Sequence, residues 1–165
     1  FLGSNIGNFD PDTARSFLAG VRQSMGPGDL LLVGIDLVKD QAIIESAYND
    51  RSGVTAEFNK NILGRINREL GGAFELETFE HWAPYLPRES KVEMRLVSMT
   101  DQVVPVAALS RSFAFARGEY IHTEDSHKYT PGSFDRLVNE SGLRRVRDWS
   151  DSKGWFADVL LRRHE

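Results

Sequence analysis

The first part of the chain combines a helical period with a continuous apolar run. Residues 10–25 place an apolar side chain every three or four positions, with Asp10 as the expected N-cap and Pro11 in the first turn, which predicts a helix. The predicted buried stripe is Phe17, Leu18, Val21 and Met25. Residues 30–38 form a mostly apolar run, typical of a strand buried on both faces in a parallel sheet. Because the opening residues FLG also resemble a strand, the order strand, helix, strand predicts an open α/β sheet.

The pattern changes in the middle of the chain. Residues 55–70 repeat an apolar residue at every fourth position, which predicts an amphipathic helix. Thr55 is the expected N-cap, and Gly71 and Gly72 are the expected stop. The predicted stripe consists of Phe58, Ile62, Ile66 and Leu70.

Three strands are predicted after this helix. Residues 92–98 alternate apolar and polar side chains, as a half-buried antiparallel strand does. Residues 102–109 and 112–122 form two more predicted strands, and Pro105 places the first of these two at an edge or at a bulge. One helix followed by consecutive strands predicts an α+β insertion into the sheet.

The last part of the chain returns to the α/β pattern. Residues 130–142 predict a helix that is capped by Thr130 and ended by Gly142. Residues 143–149 and 155–163 predict two strands joined as a terminal hairpin. The predicted segments are a core segment over 1–40, an inserted α+β domain over 41–127 and a return to the core over 128–165.

Composition narrows the class of function. With 165 residues, of which 41% are hydrophobic, the chain has the size of one ordinary domain. A net charge of −4 without a basic block argues against nucleic-acid binding. No apolar run approaches the roughly 18 residues that cross a bilayer. The lack of cysteine excludes disulfides and thiolate metal sites, and it is compatible with a cytoplasmic protein.

Two polar segments near sheet ends are candidates for ligand binding. GSNIGN, residues 3–8, lies between a predicted strand and a helix, where open α/β sheets bind ligands. Its spacing differs from that of a Gly-x-Gly-x-x-Gly phosphate loop, and a tight turn that needs glycine also explains it. Tyr48, Asn49 and Asp50 lie where the chain leaves the predicted sheet, a place where clefts form. The alternative for these three residues is a polar linker.

The third candidate is YIHTEDSHKYT, residues 120–130. On a strand, His122, Glu124 and Ser126 would face one side. A carboxylate and a hydroxyl two residues apart can bind a small ring that has a donor and an acceptor, such as imidazole. Two alternatives stay open. One is a metal site formed by His122, Glu124 and His127, although His127 falls on the other face. The other is a solvated polar loop.

Four motifs in register resemble segments of a known family. FLGSNIGNFD, AYND followed by GVTAEFNKNILGRINRELG, VEMRLVS and GEYIHTEDSHKYT are similar, in this order and spacing, to histidine-specific Nα-methyltransferases, which make trimethylhistidine (hercynine) on the way to ergothioneine. The resemblance covers essentially the whole chain. It implies an α/β fold, namely the C-terminal part of a Rossmann-like S-adenosylmethionine-dependent methyltransferase sheet with an inserted α+β substrate-binding domain.

The resemblance assigns substrate contacts to six residues and assigns neither a catalytic residue nor a metal ligand. The six are Gly3, Asn8, Tyr48, Met94, Glu124 and Ser126. The asparagine and the tyrosine would bind the α-amino and carboxylate groups of histidine. The glutamate and the serine would bind the imidazole ring, the methionine would pack against it, and the glycine would add a backbone contact.

The resemblance also implies S-adenosylmethionine as the cofactor. The family's glycine-rich cofactor loop and its N-terminal substrate tyrosines have no counterpart in these 165 residues. The chain is therefore expected to be a C-terminal half that is inactive alone, with the cofactor bound mainly by the missing N-terminal half. The exposed edge of an incomplete sheet would also allow the fragment to dimerise. Two alternatives remain, an N-methyltransferase of another aromatic amino acid, such as a tryptophan derivative, and a non-catalytic ligand-binding half-domain.

Overall fold

The computed structural model describes residues 3–164, and the chain divides into two compact units. The first unit comprises Phe1–Asp40, Leu86–Val92 and Asp125–Glu165, and the second comprises Gln41–Tyr85 and Glu93–Glu124. The predicted domain bounds, 1–40, 41–127 and 128–165, remain a prediction, and the compact units differ from them at residues 86–92 and 125–127. The strand that the sequence suggested at FLG begins outside the described residues.

The described residues form helices and strands in mixed order. The helices are α1 (Pro11–Ser24), α2 (Gln41–Tyr48), α3 (Val54–Leu70) and α4 (Pro131–Glu140). The strands are β1 (Leu31–Asp36), β2 (Phe79–Trp82), β3 (Tyr85–Leu86), β4 (Lys91–Ser98), β5 (Gln102–Val106), β6 (Arg111–Phe115), β7 (Tyr120–His127), β8 (Leu143–Ser150) and β9 (Phe156–Arg163). In the part of the chain that is described, no helix has both the length and the apolar character needed to cross a membrane.

The sheet of the first unit has the order β1-β9-β8. Both β1 and β8 pair with β9 in the antiparallel sense, so β1 and β8 run in the same direction. The predicted terminal hairpin is confirmed. The consecutive buried residues Val33, Gly34 and Ile35 confirm that β1 is buried on both faces, although its neighbour β9 is antiparallel to it and not parallel as predicted. Length and hydrophobicity specify burial of a strand, whereas the direction of its partner depends on the chain path.

Local capping signals place both helices of the first unit. Asp10 accepts hydrogen bonds from the backbone N–H groups of Asp12 and Thr13, and Pro11 opens α1. Thr130 forms a reciprocal capping box with Ser133 at the start of α4. The apolar faces of both helices belong to the core of this unit, as predicted. That core is Ile6, Ala14, Leu18, Met25, Val33, Ile35, Tyr129, Phe134, Leu137, Val138, Leu143, Ala157, Val159 and Leu161.

In the second unit the predicted N-cap of α3 is wrong. The helix begins at Val54, with Gly53 at a φ of 75° in the N-cap position. Asp50 supplies the capping carboxylate, because its side chain accepts hydrogen bonds from the backbone N–H groups of Val54 at 3.0 Å and Thr55 at 2.9 Å. An acidic side chain outside the first turn has thus replaced the threonine that the sequence suggested, and it also complements the positive end of the helix dipole.

The predicted stripe of α3 is wrong at Phe58, Ile62 and Leu70, whereas Ile66 packs against the core of this unit. Phe58 is 68% exposed and Ile62 is 45% exposed, whereas Asn59 and Leu63 are buried. A spacing of four residues turns 400° around a helix, so a stripe of that spacing drifts about 40° per step away from a fixed face. Asn59, Leu63 and the partly buried Ile66 follow the mixed spacing of four and three that keeps one face inward. The core of this unit consists of Leu63, Phe74, Phe79, Leu96, Val104 and Val106.

The strands of the second unit confirm two predictions and correct one. β4 buries every second residue, as its alternation predicted. The predicted strand 112–122 is two strands, β6 and β7, separated by a turn in which Gly118 has a φ of 87°. The sequence reasoning also missed α2, β2 and β3, which are short. Pro105 lies in β5, whose ladder partner is β6 in a two-stranded sheet, so the predicted edge position is confirmed.

Replacement of Asp50 should destabilise the protein in a pH-dependent way. Hydrogen bonds from the Ser52 hydroxyl, and then from the Thr55 backbone, hold the pKa of Asp50 well below its usual value. A carboxylate whose pKa is lowered on folding stabilises the fold above its unfolded pKa, and this stabilisation is lost as the pH falls towards the folded pKa. We therefore expect Asp50→Ala to lower the melting temperature at pH 7, with the difference from wild type shrinking below about pH 4.

Melting curves followed by circular dichroism between pH 7 and pH 3 measure this difference. Glu57→Ala is the control, because it removes a negative charge from the first turn of α3 and leaves the Asp50 cap in place. A melting difference for Asp50→Ala that stays constant down to pH 3 would contradict the capping role.

Candidate functional site

The turn that contains Gly3 and Asn8 is a short helical turn preceded by left-handed backbone. Gly3 has a φ of 77° and Ser4 a φ of 52°, and residues Asn5–Asn8 form a 3-10 helix. Ile6 and Gly7 are buried, while Asn8 ends the turn with an exposed side chain. The turn therefore anchors itself through its middle residues and presents Asn8 at its end.

This turn packs closely against the end of β7 in the first unit. A Cβ atom at Gly7 would lie 2.7 Å from the backbone oxygen of His127, so only glycine allows this approach. The Nδ1 of His127 lies 3.0 Å from the carbonyl oxygen of Gly7, and because a carbonyl only accepts, this ring nitrogen donates. The hydroxyl of Tyr129 donates to the carbonyl oxygen of Ile6 at 3.4 Å. Burial raises the pKa of Tyr129 to about 12, so this hydroxyl stays protonated at neutral pH.

Ser126 lies in the same unit and is only 6% exposed. Its hydroxyl oxygen accepts a hydrogen bond from Nζ of Lys128 at 2.8 Å. Ser126 belongs to β7, so the segment is a strand, as the argument about His122, Glu124 and Ser126 assumed, and not the solvated loop that stood as an alternative. The first unit thus holds the segment of Asn8 and the segment of Ser126 against each other through the contacts of Gly7 and Tyr129.

Tyr48 lies in the second unit, at the end of α2, and its side chain is half-buried. The Nε2 of His81 lies 2.8 Å from the backbone oxygen of Tyr48 and donates to it. The other ring nitrogen, Nδ1, lies 2.9 Å from the amide nitrogen of Asn59, which is a donor, so Nδ1 accepts. These two contacts assign the neutral tautomer of His81 with its hydrogen on Nε2.

Two more side chains tie the end of α2 to the segment around β2 and β3. The side chain of Asn49 donates to the carbonyl oxygen of Ala83 at 2.9 Å and accepts from the Ala83 N–H at 3.0 Å. A carboxylate oxygen of Glu45 accepts from the N–H of Tyr85 at 3.2 Å. Asn49, which the sequence suggested as a cleft residue next to Tyr48, therefore has structural contacts, and Asp50 caps α3.

Met94 and Glu124 lie in the parts of the paired strands β4 and β7 that belong to the second unit. Met94 is 3% exposed and Glu124 is half-buried. The hydroxyl of Thr123 donates to the carbonyl oxygen of Met94 at 3.0 Å, which ties the strand segment before Glu124 to β4. The six predicted residues thus divide equally between the units, with Gly3, Asn8 and Ser126 in the first and Tyr48, Met94 and Glu124 in the second.

Sequence reasoning missed the residues that support these six. His81 and Asn59 hold the backbone of Tyr48, and Lys128 contacts Ser126. Only one of these had a signal in the sequence, because Lys128 follows Ser126 at the spacing that places two residues on one face of an extended segment. The other contacts join residues far apart in the chain.

The turn over residues 3–8 does not have the form of a glycine loop that binds S-adenosylmethionine. Among residues 3–164, the glycine-containing turn that precedes a helix at the sheet is the one over residues 3–8. The space beside Gly7 is filled by the backbone of His127, so this glycine serves internal packing and not the approach of a ligand phosphate or carboxylate. We therefore assign no residue of this chain to the cofactor.

Comparisons with known proteins agree with this architecture. The solved CcbJ methyltransferase from Streptomyces caelestis superposes with a TM-score of 0.51 at 11% identity, covering 99% of this chain and 55% of that chain. At so low an identity the likeness concerns the fold alone, and it identifies the fold as the C-terminal part of a Rossmann-like methyltransferase.

Curated relatives extend the comparison to sequence. The histidine N-alpha-methyltransferase of Mycolicibacterium smegmatis is 45% identical over 94% of this chain and 49% of its own length. The L-tryptophan methyltransferase trpM of Psilocybe serbica is 30% identical over 98% of this chain and 46% of its own length. The chain thus spans about half the length of the curated relatives it matches.

A family model described as "Histidine-specific methyltransferase, SAM-dependent" matches residues 1–163, which is nearly the whole chain. The same chain has the methyltransferase fold and brings two of the resembling motifs together in its first unit. The chain belongs to the family of histidine-specific, S-adenosylmethionine-dependent methyltransferases.

Proposed function

We propose that this chain is the substrate-recognising part of an enzyme that methylates the α-amine of L-histidine three times, giving hercynine for ergothioneine synthesis. The observation that supports this most directly is the packing of Gly7 on the backbone of His127. It holds the turn ending in Asn8 against the strand end that contains Ser126. These are the segments that the family resemblance assigns to the two ends of histidine.

In this proposal the six predicted residues bind and orient the substrate. Asn8 and Tyr48 bind the α-amino and carboxylate groups, and Gly3 adds a backbone contact. Glu124 accepts a hydrogen bond from the N–H of the neutral imidazole, and Ser126 bonds the other ring nitrogen. Met94 packs against the imidazole ring. The compact second unit, together with residues 86–92 and 125–127, then corresponds to the predicted substrate-binding insertion over 41–127.

Methyl transfer requires that the residues of this chain align the amine with the methyl group and exclude water from the site. S-adenosylmethionine supplies the methyl group when it is bound. The amine attacks with its lone pair, so it must be deprotonated and must lie in line with the bond that breaks. The proposed contacts of Asn8 and Tyr48 would fix the amine and the carboxylate, which reduces the entropy lost in reaching that alignment.

The cofactor and the location are also part of the proposal. The residues that bind S-adenosylmethionine would lie mainly in the half of the relatives' length that this chain does not span. The 165-residue chain alone should then bind the cofactor weakly or not at all. A cytoplasmic location remains a prediction.

A second candidate is N-methylation of another aromatic amino acid. It is favoured by the 30% identity to an L-tryptophan methyltransferase, which is another of the curated relatives that this chain matches. The two candidates differ in what meets the ring. A ring that lacks an N–H donor at this position would leave the desolvated carboxylate of Glu124 unpaired, and the binding of such a ring is therefore disfavoured.

The decisive experiment incubates the full-length gene product with S-adenosylmethionine and each of the twenty amino acids, followed by mass spectrometry. We expect trimethylation of histidine, no methylation of phenylalanine and at most trace methylation of tryptophan. Preferential methylation of tryptophan would establish the second candidate. Absence of methylation of every amino acid, in a protein that binds the cofactor, would leave the non-catalytic binding role.

A further inference from the structure

A histidine holds the end of the helix that presents Tyr48. Tyr48 is the last residue of α2, so its carbonyl is one of those that a helix leaves without an intrahelical partner. Nε2 of His81, on β2, donates to this carbonyl oxygen at 2.8 Å. His81 is half-buried, and both residues belong to the second unit. The contact therefore fixes the backbone from which the Tyr48 side chain extends.

A buried asparagine orients the ring of His81. Asn59 is 4% exposed, and its amide nitrogen donates to the carbonyl oxygen of Arg95 at 3.2 Å. A carbonyl only accepts, so this contact identifies which end of the Asn59 amide is the nitrogen. The same nitrogen lies 2.9 Å from Nδ1 of His81, which therefore accepts. The hydrogen of the neutral ring is then on Nε2, where it bonds the carbonyl of Tyr48.

The residue that orients Asn59 is itself well held within the second unit. Arg95 lies on β4 directly opposite Trp82 of β2. Its guanidinium lies 5.1 Å from the ring centroid of Trp82 and 4.3 Å from that of Tyr120, which are cation–π contacts. Its Nε also donates to Oε1 of Glu93 at 2.7 Å. The sheet pairing and these side-chain contacts therefore fix the carbonyl to which Asn59 donates.

We propose that His81 is a positioning residue for Tyr48, an inference that rests on the proposed function. In that function Tyr48 helps to bind the α-amino and carboxylate groups of the substrate, so the place of the last residue of α2 sets the place of a substrate contact. An imidazole suits this position because it offers a donor at one nitrogen and an acceptor at the other. The tautomer that Asn59 imposes is the one that donates to Tyr48.

Loss of the His81 contact should loosen the end of α2 without detaching it. Asn49 still bonds the backbone of Ala83, and Glu45 still accepts from the N–H of Tyr85. Tyr48 would then occupy its binding position only part of the time. The apparent affinity for the substrate falls by the fraction of molecules that are competent to bind it.

Two amide side chains separate the two contacts of His81. The amide of asparagine reaches the place of the ring atom Nδ1, whereas the amide of glutamine, which is one carbon longer, reaches the place of Nε2. His81→Gln therefore keeps an N–H donor for the carbonyl of Tyr48, and His81→Asn keeps only a partner for Asn59. In the full-length gene product, His81→Gln should have the wild-type KM for histidine. His81→Asn should raise this KM about threefold to tenfold, the range of one ordinary hydrogen bond.

The effect of His81→Asn should appear in KM, with kcat close to the wild-type value. A saturating concentration of histidine selects the molecules in which Tyr48 is in place, and so compensates for the lost contact. Partial unfolding behaves differently, because it lowers the active fraction and hence kcat, while the molecules that stay folded keep the original KM. A His81→Asn protein whose kcat falls while its KM stays unchanged would overturn the inference.

The effect must also depend on the Tyr48 side chain. In the Tyr48→Ala background, His81→Asn should leave KM at the value of Tyr48→Ala alone, because no side chain is left to position. A further rise of about threefold in that background would overturn the inference, since the two residues would then act independently.

Asn67→Leu is the matched control. Asn67 lies on α3 of the same unit and is half-buried, as His81 is. Its side chain donates to the carbonyl oxygen of Phe74 at 2.8 Å and accepts from the Phe74 N–H at 2.8 Å. The variant thus removes side-chain hydrogen bonds from the second unit without touching Tyr48. We expect a lower melting temperature and the wild-type KM, and a KM raised as much as in His81→Asn would overturn the inference.

A measurement on the wild type covers the case in which His81→Asn does not fold, which circular dichroism detects. In protein that contains nitrogen-labelled histidine, long-range proton–nitrogen NMR spectra show which ring nitrogen bears the hydrogen. The signals of His81 are those absent from the spectrum of His81→Gln. We expect hydrogen on Nε2 and a bare Nδ1. A ring with its hydrogen on Nδ1 cannot donate to Tyr48 and would overturn the inference.

Failure of the proposed function gives a different result. If Tyr48→Ala leaves the KM for histidine unchanged, Tyr48 does not contact the substrate, and the substrate assignment falls together with the inference. If Tyr48→Ala raises KM while folded His81→Asn keeps the wild-type value, only the role of His81 is wrong.

Discussion

Gly7→Ala should lower the stability of the protein by about 1–3 kcal/mol, the usual range for an added methyl group in a packed site. The new Cβ atom would lie 2.7 Å from the backbone oxygen of His127. Backbone atoms in a strand cannot move aside as the tip of a flexible side chain can. The turn must therefore shift, which weakens the hydrogen bond between His127 and the Gly7 carbonyl.

The same variant should also affect substrate binding. Asn8 follows Gly7 directly, so a shift of the turn moves a proposed contact to the amino acid relative to Ser126. In the full-length gene product we expect the KM for histidine to rise about tenfold or more, because a misplacement of about 1 Å is enough for large losses in a positioned site. Urea unfolding measures the stability change, and initial rates measure the KM.

Gly20→Ala is the control for this prediction. Gly20 lies within α1, is exposed, and has no atom within 4 Å of the place of an added Cβ. Alanine is better than glycine in the middle of a helix by roughly 0.5–1 kcal/mol, so this variant should be more stable than the wild type. If Gly7→Ala proved as stable as Gly20→Ala, the close packing of the turn on β7 would be wrong.

Glu124→Ala should raise the KM for histidine by roughly 10- to 150-fold, which corresponds to the loss of one hydrogen bond to a charged group at about 1.5–3 kcal/mol. The proposed partner of this carboxylate is the imidazole N–H. Removal of the Glu124 carboxylate should therefore weaken histidine binding, and the affinity for S-adenosylmethionine should stay unchanged. The discrimination between histidine and phenylalanine should fall as well, because no unpaired carboxylate would then oppose a ring without a donor.

Steady-state kinetics with histidine, phenylalanine and tryptophan, together with calorimetry for the cofactor, measure these effects in the full-length gene product. Glu80→Ala is the matched control, because Glu80 is an exposed glutamate on β2 of the same unit. Its kinetic constants should match those of the wild type. An unchanged preference for histidine in Glu124→Ala would mean that the ring is bound elsewhere.

The predictions that held best concern local interactions. Asp10 and Thr130 cap their helices because each side chain bonds N–H groups within three residues of itself, so the segment contains all the information needed. The alternation of β4 is confirmed for a related reason, since successive side chains of a strand must point to opposite faces.

The predictions that failed concern which neighbour a segment meets. Phe58 and Ile62 continue an apolar repeat that looks like a buried stripe, yet the face of α3 that packs inward contains Asn59 and Leu63. The polar Asn59 is buried because its amide donates to His81 and to the carbonyl oxygen of Arg95, two groups that lie far along the chain. A period in the sequence cannot reveal such partners.

The sequence by itself determined the order and type of the main elements, the caps of α1 and α4, and the motifs that identify the family. The tertiary structure alone decided that Gly7 must pack on His127 and that Lys128 meets both Asp36 and Ser126. The physical reason is the distance along the chain over which each interaction acts. Caps and side-chain periods act within one or two turns, whereas buried contacts and paired charges depend on chain segments that only the fold brings together.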